Sequence, residues 1–139
     1  MIDPLQASVQ IASSGLEAQS DRLRIVSENL ANANSTGRTA GADPYRRKTV
    51  TFASEMDRAA GVRVVKIKDI GIDRSPFRVE YEPNHPAAGQ DGYVKLPNVN
   101  MLIEMADMRE TNRSYEANLQ VVKQTRSMVA MTIDLLKGA

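Results

Sequence analysis

The sequence predicts an α+β chain with long N- and C-terminal helices that pair as a coiled coil around a small β-rich module. Three observations lead there. Apolar residues recur in alternating steps of four and three over residues 3–33 and again over 98–136. The stretch between about 45 and 97 changes to a period of two. A run rich in Asn, Ser, Thr, Gly and Pro separates the first pattern from the second. The organisation expected is therefore a helix at 1–34, a loop at 35–44, a β-rich module at 45–97 and a second helix at 98–139.

The first helix carries its seam on Leu5, Val9, Ala12, Leu16, Gln19, Leu23, Val26, Leu30 and Ala33, of which only Gln19 is polar. This is an a/d stripe over about four heptads, the pattern of a helix lying along another helix. Glu17, Asp21, Arg22, Arg24 and Glu28 fall on the remaining faces. Asp3 suits the N-cap, Pro4 the first helical position, and Gln6 can close a capping box. At 1.5 Å per residue a helix of ~30 residues spans ~45 Å. Asn32 to Pro44 then breaks it, because Asn, Ser, Thr and Gly favour turns and Pro cannot continue a helix.

In the middle, Val50 and Phe52 share one face of an alternating stretch from Lys48. Residues 54–60 read as a short helical turn, and 62–70 is rich in β-branched residues. Phe77, Val79 and Tyr81 alternate with Arg78, Glu80 and Glu82, the clearest strand of the chain. Gly71-Ile72-Asp73-Arg74-Ser75-Pro76 reads as a hairpin connection. Turns follow at Pro83-Asn84-His85-Pro86 and Gln90-Asp91-Gly92, and residues 92–96 supply one more edge strand.

The second helix places Met101, Met105, Met108, Asn112, Tyr115, Leu119, Val122, Arg126, Val129, Ile133 and Leu136 on its seam, over about five heptads. Asn98 or Asn100 caps its start, and Lys137-Gly138 suits its end. At ~39 residues it spans ~58 Å. Three successive Met residues make an adaptable contact. Val121, Met128 and Leu135 add a flanking stripe, so the apolar face is wider than one partner helix needs. Asn112 and Arg126 have two readings. Either they specify register at some cost in stability, or the helix is rotated slightly and they reach solvent.

An antiparallel pairing of the two helices buries part of each seam and leaves about a heptad of the longer helix uncovered. Burial yields roughly 25 cal/mol per Å² against roughly 1–2 kcal/mol per ordered residue. The terminal helices are therefore expected to be partly disordered alone and to order between neighbouring subunits. A contact between two unlike surfaces that does not close on itself builds a helical filament or tube.

Composition narrows the function. The 139 residues suit one small domain. The 18 basic and 17 acidic residues leave a charge of +1, which recruits neither nucleic acid nor an anionic membrane. With no Cys, disulfides, thiolate nucleophiles and the zinc sites that need sulfur are excluded. His85 is the one histidine and lies in a Pro-bounded turn, so neither a His pair nor a Ser-His-Asp set is available. No Gly-rich phosphate loop occurs. Arg46-Arg47-Lys48 reads as a solvated strand edge or a polar subunit contact, and Glu104, Asp107, Glu110 and Glu116 as helix-surface charges. No catalytic, cofactor or metal site is expected. The first residues lack the basic and apolar regions of a cleaved signal peptide, and no apolar run spans a bilayer.

Two end motifs carry a resemblance. Ser14-Gly15-Leu16-Glu17-Ala18-Gln19, Arg22-Leu23, Val26 and Asn29-Leu30-Ala31-Asn32-Ala33-Asn34 resemble the N-terminal signature of bacterial flagellar rod and hook proteins. Glu110-Thr111-Asn112-Arg113-Ser114-Tyr115-Glu116-Ala117-Asn118 resembles the C-terminal one. Pro44-Tyr45-Arg46-Arg47-Lys48-Thr49-Val50, Ser75-Pro76-Phe77-Arg78, Tyr81-Glu82-Pro83-Asn84-His85-Pro86 and Gly92 through Asn100 narrow it to the basal-body rod proteins of the proximal rod. Ser35 and the Thr111-Asn112 pair depart slightly from the pattern.

The resemblance implies a structural subunit whose terminal helices line a hollow, torque-transmitting shaft around the export channel, with the β module outside. It implies export through the flagellar type III apparatus without cleavage, and residence in the periplasm-spanning rod. The implied partners are other proximal and distal rod proteins, the adapter to the membrane ring, and further copies of the chain. The competing expectation is a self-contained helical-hairpin adaptor or chaperone-like module.

Overall fold

The structure, a computed structural model, describes residues 4–138. Six elements follow in order: α1 (Pro4–Ala31), β1 (Lys48–Asp57), β2 (Val62–Ile72), β3 (Arg78–Tyr81), β4 (Tyr93–Leu96) and α2 (Met101–Lys137). The architecture is α+β, two long helices with two small two-stranded sheets between them in sequence.

Pro4 opens α1, a position where its missing N–H has no helical partner to lose. The Asp3 cap, and the capping box it would form with Gln6, lie outside the described residues. Asn32 stops the helix: its N–H and its Nδ2 both donate to the Glu28 carbonyl, at 3.1 and 2.8 Å. The Ala33 N–H bonds Leu30 O in a tighter turn, and Ser35 bonds the Asn32 carbonyl through both its N–H and its hydroxyl. α2 is capped by Asn100, whose Oδ1 accepts from the N–H groups of Leu102 and Ile103 at 3.0 and 3.4 Å.

β1 pairs with β2 across residues 58–61, a connection short enough only for antiparallel strands. Asp57 Oδ1 accepts from the N–H groups of Ala59 and Ala60, and Gly61 supplies the positive φ of 62° that closes the turn. Residues 54–57 are therefore strand, where the sequence suggests a helical turn. Pairing with the β-branched run of β2 overrides their local preference.

β3 and β4 pair antiparallel with Arg78 opposite Leu96 and Tyr81 opposite Tyr93. The two tyrosine rings meet edge to face at 5.2 Å. Gly92, at φ +78°, brings the chain back beside them. The 71–76 segment is not a hairpin connection, because β2 and β3 belong to different sheets. It is tied elsewhere: the Asp73 N–H donates to Arg47 O at 2.8 Å, and Asn98 Nδ2 donates to Asp73 O and to Ser75 Oγ.

The chain forms two compact units, and both helices contribute to each. The first comprises the described residues of 1–22, 51–69 and 110–139. Its interior holds Ala12, Ala18, Ala60, Val64, Thr111, Val122 and Thr125. Here Gln10 Nε2 donates to Asp57 Oδ2 at 2.8 Å, and the Val65 N–H donates to Ser14 Oγ at 3.2 Å. Gly15 lies so close to Asn118 that a Cβ would stand 2.8 Å from its amide nitrogen. The second unit comprises 23–50 and 70–109. Its interior holds Ile25, Val26, Ala33, Ala87, Val94, Pro97 and Val99, together with two polar side chains, Asn29 and Glu104.

Candidate assembly surface and its buried polar hub

The second unit is organised around Asn29, which is 1% exposed. Its Oδ1 accepts from the Tyr45 hydroxyl and from the Lys48 N–H, both at 2.8 Å. Its Nδ2 donates to Lys48 O at 2.9 Å and to Glu104 Oε2 at 3.1 Å. All four hydrogen-bonding positions of the amide are filled, which is the condition for burying it without penalty.

Glu104 is fully buried, and Arg47 Nε meets its Oε1 at 2.5 Å. The same guanidinium stands 3.9 Å from Asp73 and 3.7 Å from Asp107. The Arg47 N–H donates to Asn98 Oδ1 at 2.9 Å, so Asn98 links the start of β1 to the chain entering α2. Arg46 lies over the Phe77 ring at 4.0 Å. Lys48 Nζ reaches Glu28 Oε2 at 2.7 Å.

The electrostatics follow. Lys48, then Arg24, holds the Glu28 carboxyl below its usual range against a partial desolvation. The Ser75 backbone N–H lowers Asp73, helped by the Ser75 hydroxyl and the two arginines. Burial raises the Tyr45 phenol, and the charges of Glu28 and Glu104 push the same way.

This hub corrects one expectation: Glu104 is no surface charge. Arg46, Arg47 and Lys48 each have a partner within the chain while staying partly exposed. A signal for the burial of Glu104 exists in the sequence: a single carboxylate interrupts the run Met101-Leu102-Ile103-Glu104-Met105. Asn29, Tyr45 and Asn98 carry no comparable local mark, because their partners are brought together only by the fold.

The expected seam residues divide between the helices. On α1, Val26 is buried and Leu5, Val9, Leu16, Leu23 and Leu30 are partly buried. On α2, Val122 is buried and Met108 and Leu119 partly so, but Met101, Met105, Tyr115, Val129, Ile133 and Leu136 are exposed. Asn112 and Arg126 are exposed as well. The line that turns inward is one residue earlier in each heptad: Glu104, Thr111, Asn118 and Thr125, of which only Asn118 is not fully buried. One residue is about 100° around the helix. α2 therefore turns Glu104, Thr111 and Thr125 inward beside Val122 and leaves most of its Met and Leu side chains outward.

That face is largest at the end of the helix. Every residue from 126 to 138 is exposed. Among them are Met128, Val129, Met131 and Ile133, with Leu135 and Leu136 about three-quarters exposed at 76% and 75%. A second apolar group, Met101, Leu102, Ile103 and Met105, is exposed at the start of α2. Apolar patches of this kind mark surfaces that meet other proteins or a membrane. Among the described residues no helix is long and apolar enough to cross a membrane.

α2 thus presents apolar side chains outward near both of its ends, while polar side chains hold the interior of the second unit. Residues 10–38 match the family model of flagella basal body rod proteins, and residues 90–135 match that of the C-terminal region of the flagellar basal body rod FlgEFG proteins. A flagellar basal-body rod protein FlgC of Agrobacterium fabrum is 67% identical over 99% of this chain and 99% of its own. FlgC of Borreliella burgdorferi is 37% identical over 96% and 99%. FlgC of Salmonella typhimurium is 41% identical over 90% and 92%. The class is that of flagellar basal-body rod proteins. Within it, the chain belongs to the family of flagellar basal-body rod proteins FlgC.

Proposed function

We propose that the chain, a structural subunit of the flagellar basal-body rod, joins its neighbours through the outward face of α2 and that its two helices pair as an antiparallel coiled coil. The observation that carries this reading is the uncovered apolar run of α2 from Met128 to Leu136. Two close approaches support the pairing: Gly15 with Asn118 and Asn29 with Glu104. The polar stripe of α2 serves this internal pairing, and the stripe of Met101, Met105, Tyr115, Val129, Ile133 and Leu136 serves neighbours. In the rod, residues 1–34 and 98–139 line the shaft and the 45–97 module lies outside. Proximal and distal rod proteins and the membrane-ring adapter are the partners, and the flagellar export apparatus delivers the chain.

The test is Leu135→Asp. The side chain is 76% exposed, so the substitution leaves the helix content and thermal unfolding of the isolated chain unchanged. In cells it abolishes incorporation into basal bodies, and with it motility. Normal motility with this variant in purified basal bodies refutes the assignment of the face.

A further inference from the structure

The turn between β3 and β4 is closed by a histidine. The His85 N–H donates to Glu82 O at 3.0 Å, and its carbonyl accepts from the Ala88 N–H at 2.9 Å. The ring Nδ1 lies 3.0 Å from the Ala87 nitrogen. A backbone N–H can only donate, so Nδ1 is the unprotonated nitrogen and the ring proton is on Nε2. The bond reaches two residues ahead, as in an Asx turn, with an imidazole nitrogen in the place of a carboxamide or carboxylate oxygen. Ala87 is 5% exposed, and its carbonyl accepts from the Gly41 N–H at 3.1 Å. One ring nitrogen thus fixes a buried peptide that also anchors the loop preceding β1.

A protonated imidazole carries hydrogen on both nitrogens and cannot accept. Two N–H groups would then face each other at the Nδ1 position, and the ring must leave. The groove beside it, about 340 Å³ in volume, offers a place. The charged groups lining it with His85 are Arg78 and Glu80 from β3 and Glu82 just after it. β4 contributes only Val94 and Leu96 there, and the segment after α1 only Asn34 and Thr36.

We propose that His85 is a pH-sensitive latch: the neutral ring closes the turn on Ala87 and, through Gly41, fastens the 35–44 loop, while the protonated ring releases both. The inference rests on the turn geometry alone and stands apart from the rod assembly.

Amide hydrogen exchange of the full chain tests it, corrected for intrinsic pH dependence and followed by NMR beside the titration of the His85 ring itself. The protection of Ala87 falls roughly fivefold to tenfold as the ring gains its proton, and Gly41 follows. The ring nitrogen shifts of the neutral form report the Nε2–H tautomer. His85→Asn keeps an acceptor at the same reach that does not titrate, so its Ala87 protection stays level across that range. His85→Ala is unprotected at Ala87 throughout. Level protection in the unmodified chain, an equal loss in the Asn variant, or a neutral ring with its proton on Nδ1 overturns the latch.

Discussion

Replacing Glu104 with Ala tests whether the polar hub holds the second unit together. The carboxylate is fully buried, with Arg47 Nε at 2.5 Å and Asn29 Nδ2 at 3.1 Å. At an effective dielectric of ~20, charges ~2.5 Å apart attract by ~6–7 kcal/mol, most of which desolvation cancels. What the substitution reveals is the penalty of leaving the partner stranded, about 3–5 kcal/mol for a buried pair. Arg47 is not wholly stranded: its side chain is 23% exposed, and Asp73 and Asp107 stand within 4 Å. The lower end, about 3 kcal/mol, is expected.

Urea unfolding of the full chain measures it. At a slope of about 1.5 kcal/mol per M, the midpoint moves down by about 2 M. Glu104→Gln keeps an acceptor for Asn29 but loses the charge, and falls between. Arg47→Met with Glu104→Leu removes both charges together and recovers most of the loss. A Glu104→Ala variant within about 0.5 kcal/mol of the parent, the scatter of neutral surface substitutions, refutes the hub as a source of stability.

The remaining expectations concern the hub's neighbour and two glycines. Tyr45→Phe leaves Asn29 Oδ1 with one donor instead of two and costs about 1 kcal/mol in the same unfolding assay. The folded phenol titrates above its unfolded value of 10.0, so the folded state holds the proton longer. Stability is therefore full below pH ~10 and declines as pH rises above it; Phe at 45 removes that part of the alkaline decline, and an unchanged alkaline profile contradicts the assignment. Gly92→Ala places a Cβ at φ +78° and 2.9 Å from the Tyr81 ring, and is expected to lower stability by about 2 kcal/mol, read from its thermal midpoint. Gly15→Leu drives a side chain into the Asn118 amide and costs about 2–3 kcal/mol, with reduced helical signal.

The two helices and all four strands were legible because each is a matter of local period. Alternation marks Val79 and Tyr81 as strand, and spacings of four and three mark Leu16, Leu23 and Leu30 as one helical face. Two strand-level readings failed where a partner decided the outcome. Residues 54–57 follow β2 into a sheet, and 71–76 joins strands that never pair. The candidate hub was illegible for a related reason. Asn29, Tyr45, Arg47 and Glu104 are separated by up to 75 residues, and each is an ordinary polar residue until the others arrive.

The rotation of α2 carries the deeper lesson. Heptad counting assumes that the most apolar stripe faces the internal partner, since burial is what drives a monomer to fold. Here the stripe turned inward is Glu104, Thr111, Asn118 and Thr125, while Met101, Met105 and Leu136 face out. Within the first unit Gly15 lies close to Asn118, and within the second a hydrogen bond joins Asn29 to Glu104. The exposed apolar stripe is the one proposed above to meet neighbours. Part of the expected α2 stripe is kept, with Val122 buried and Met108 and Leu119 partly so, while Asn112 and Arg126 are exposed. Asn112 and Arg126 mark a helix face that the chain leaves open, whereas Gln19, the polar residue of the α1 seam, lies on a face that is partly buried.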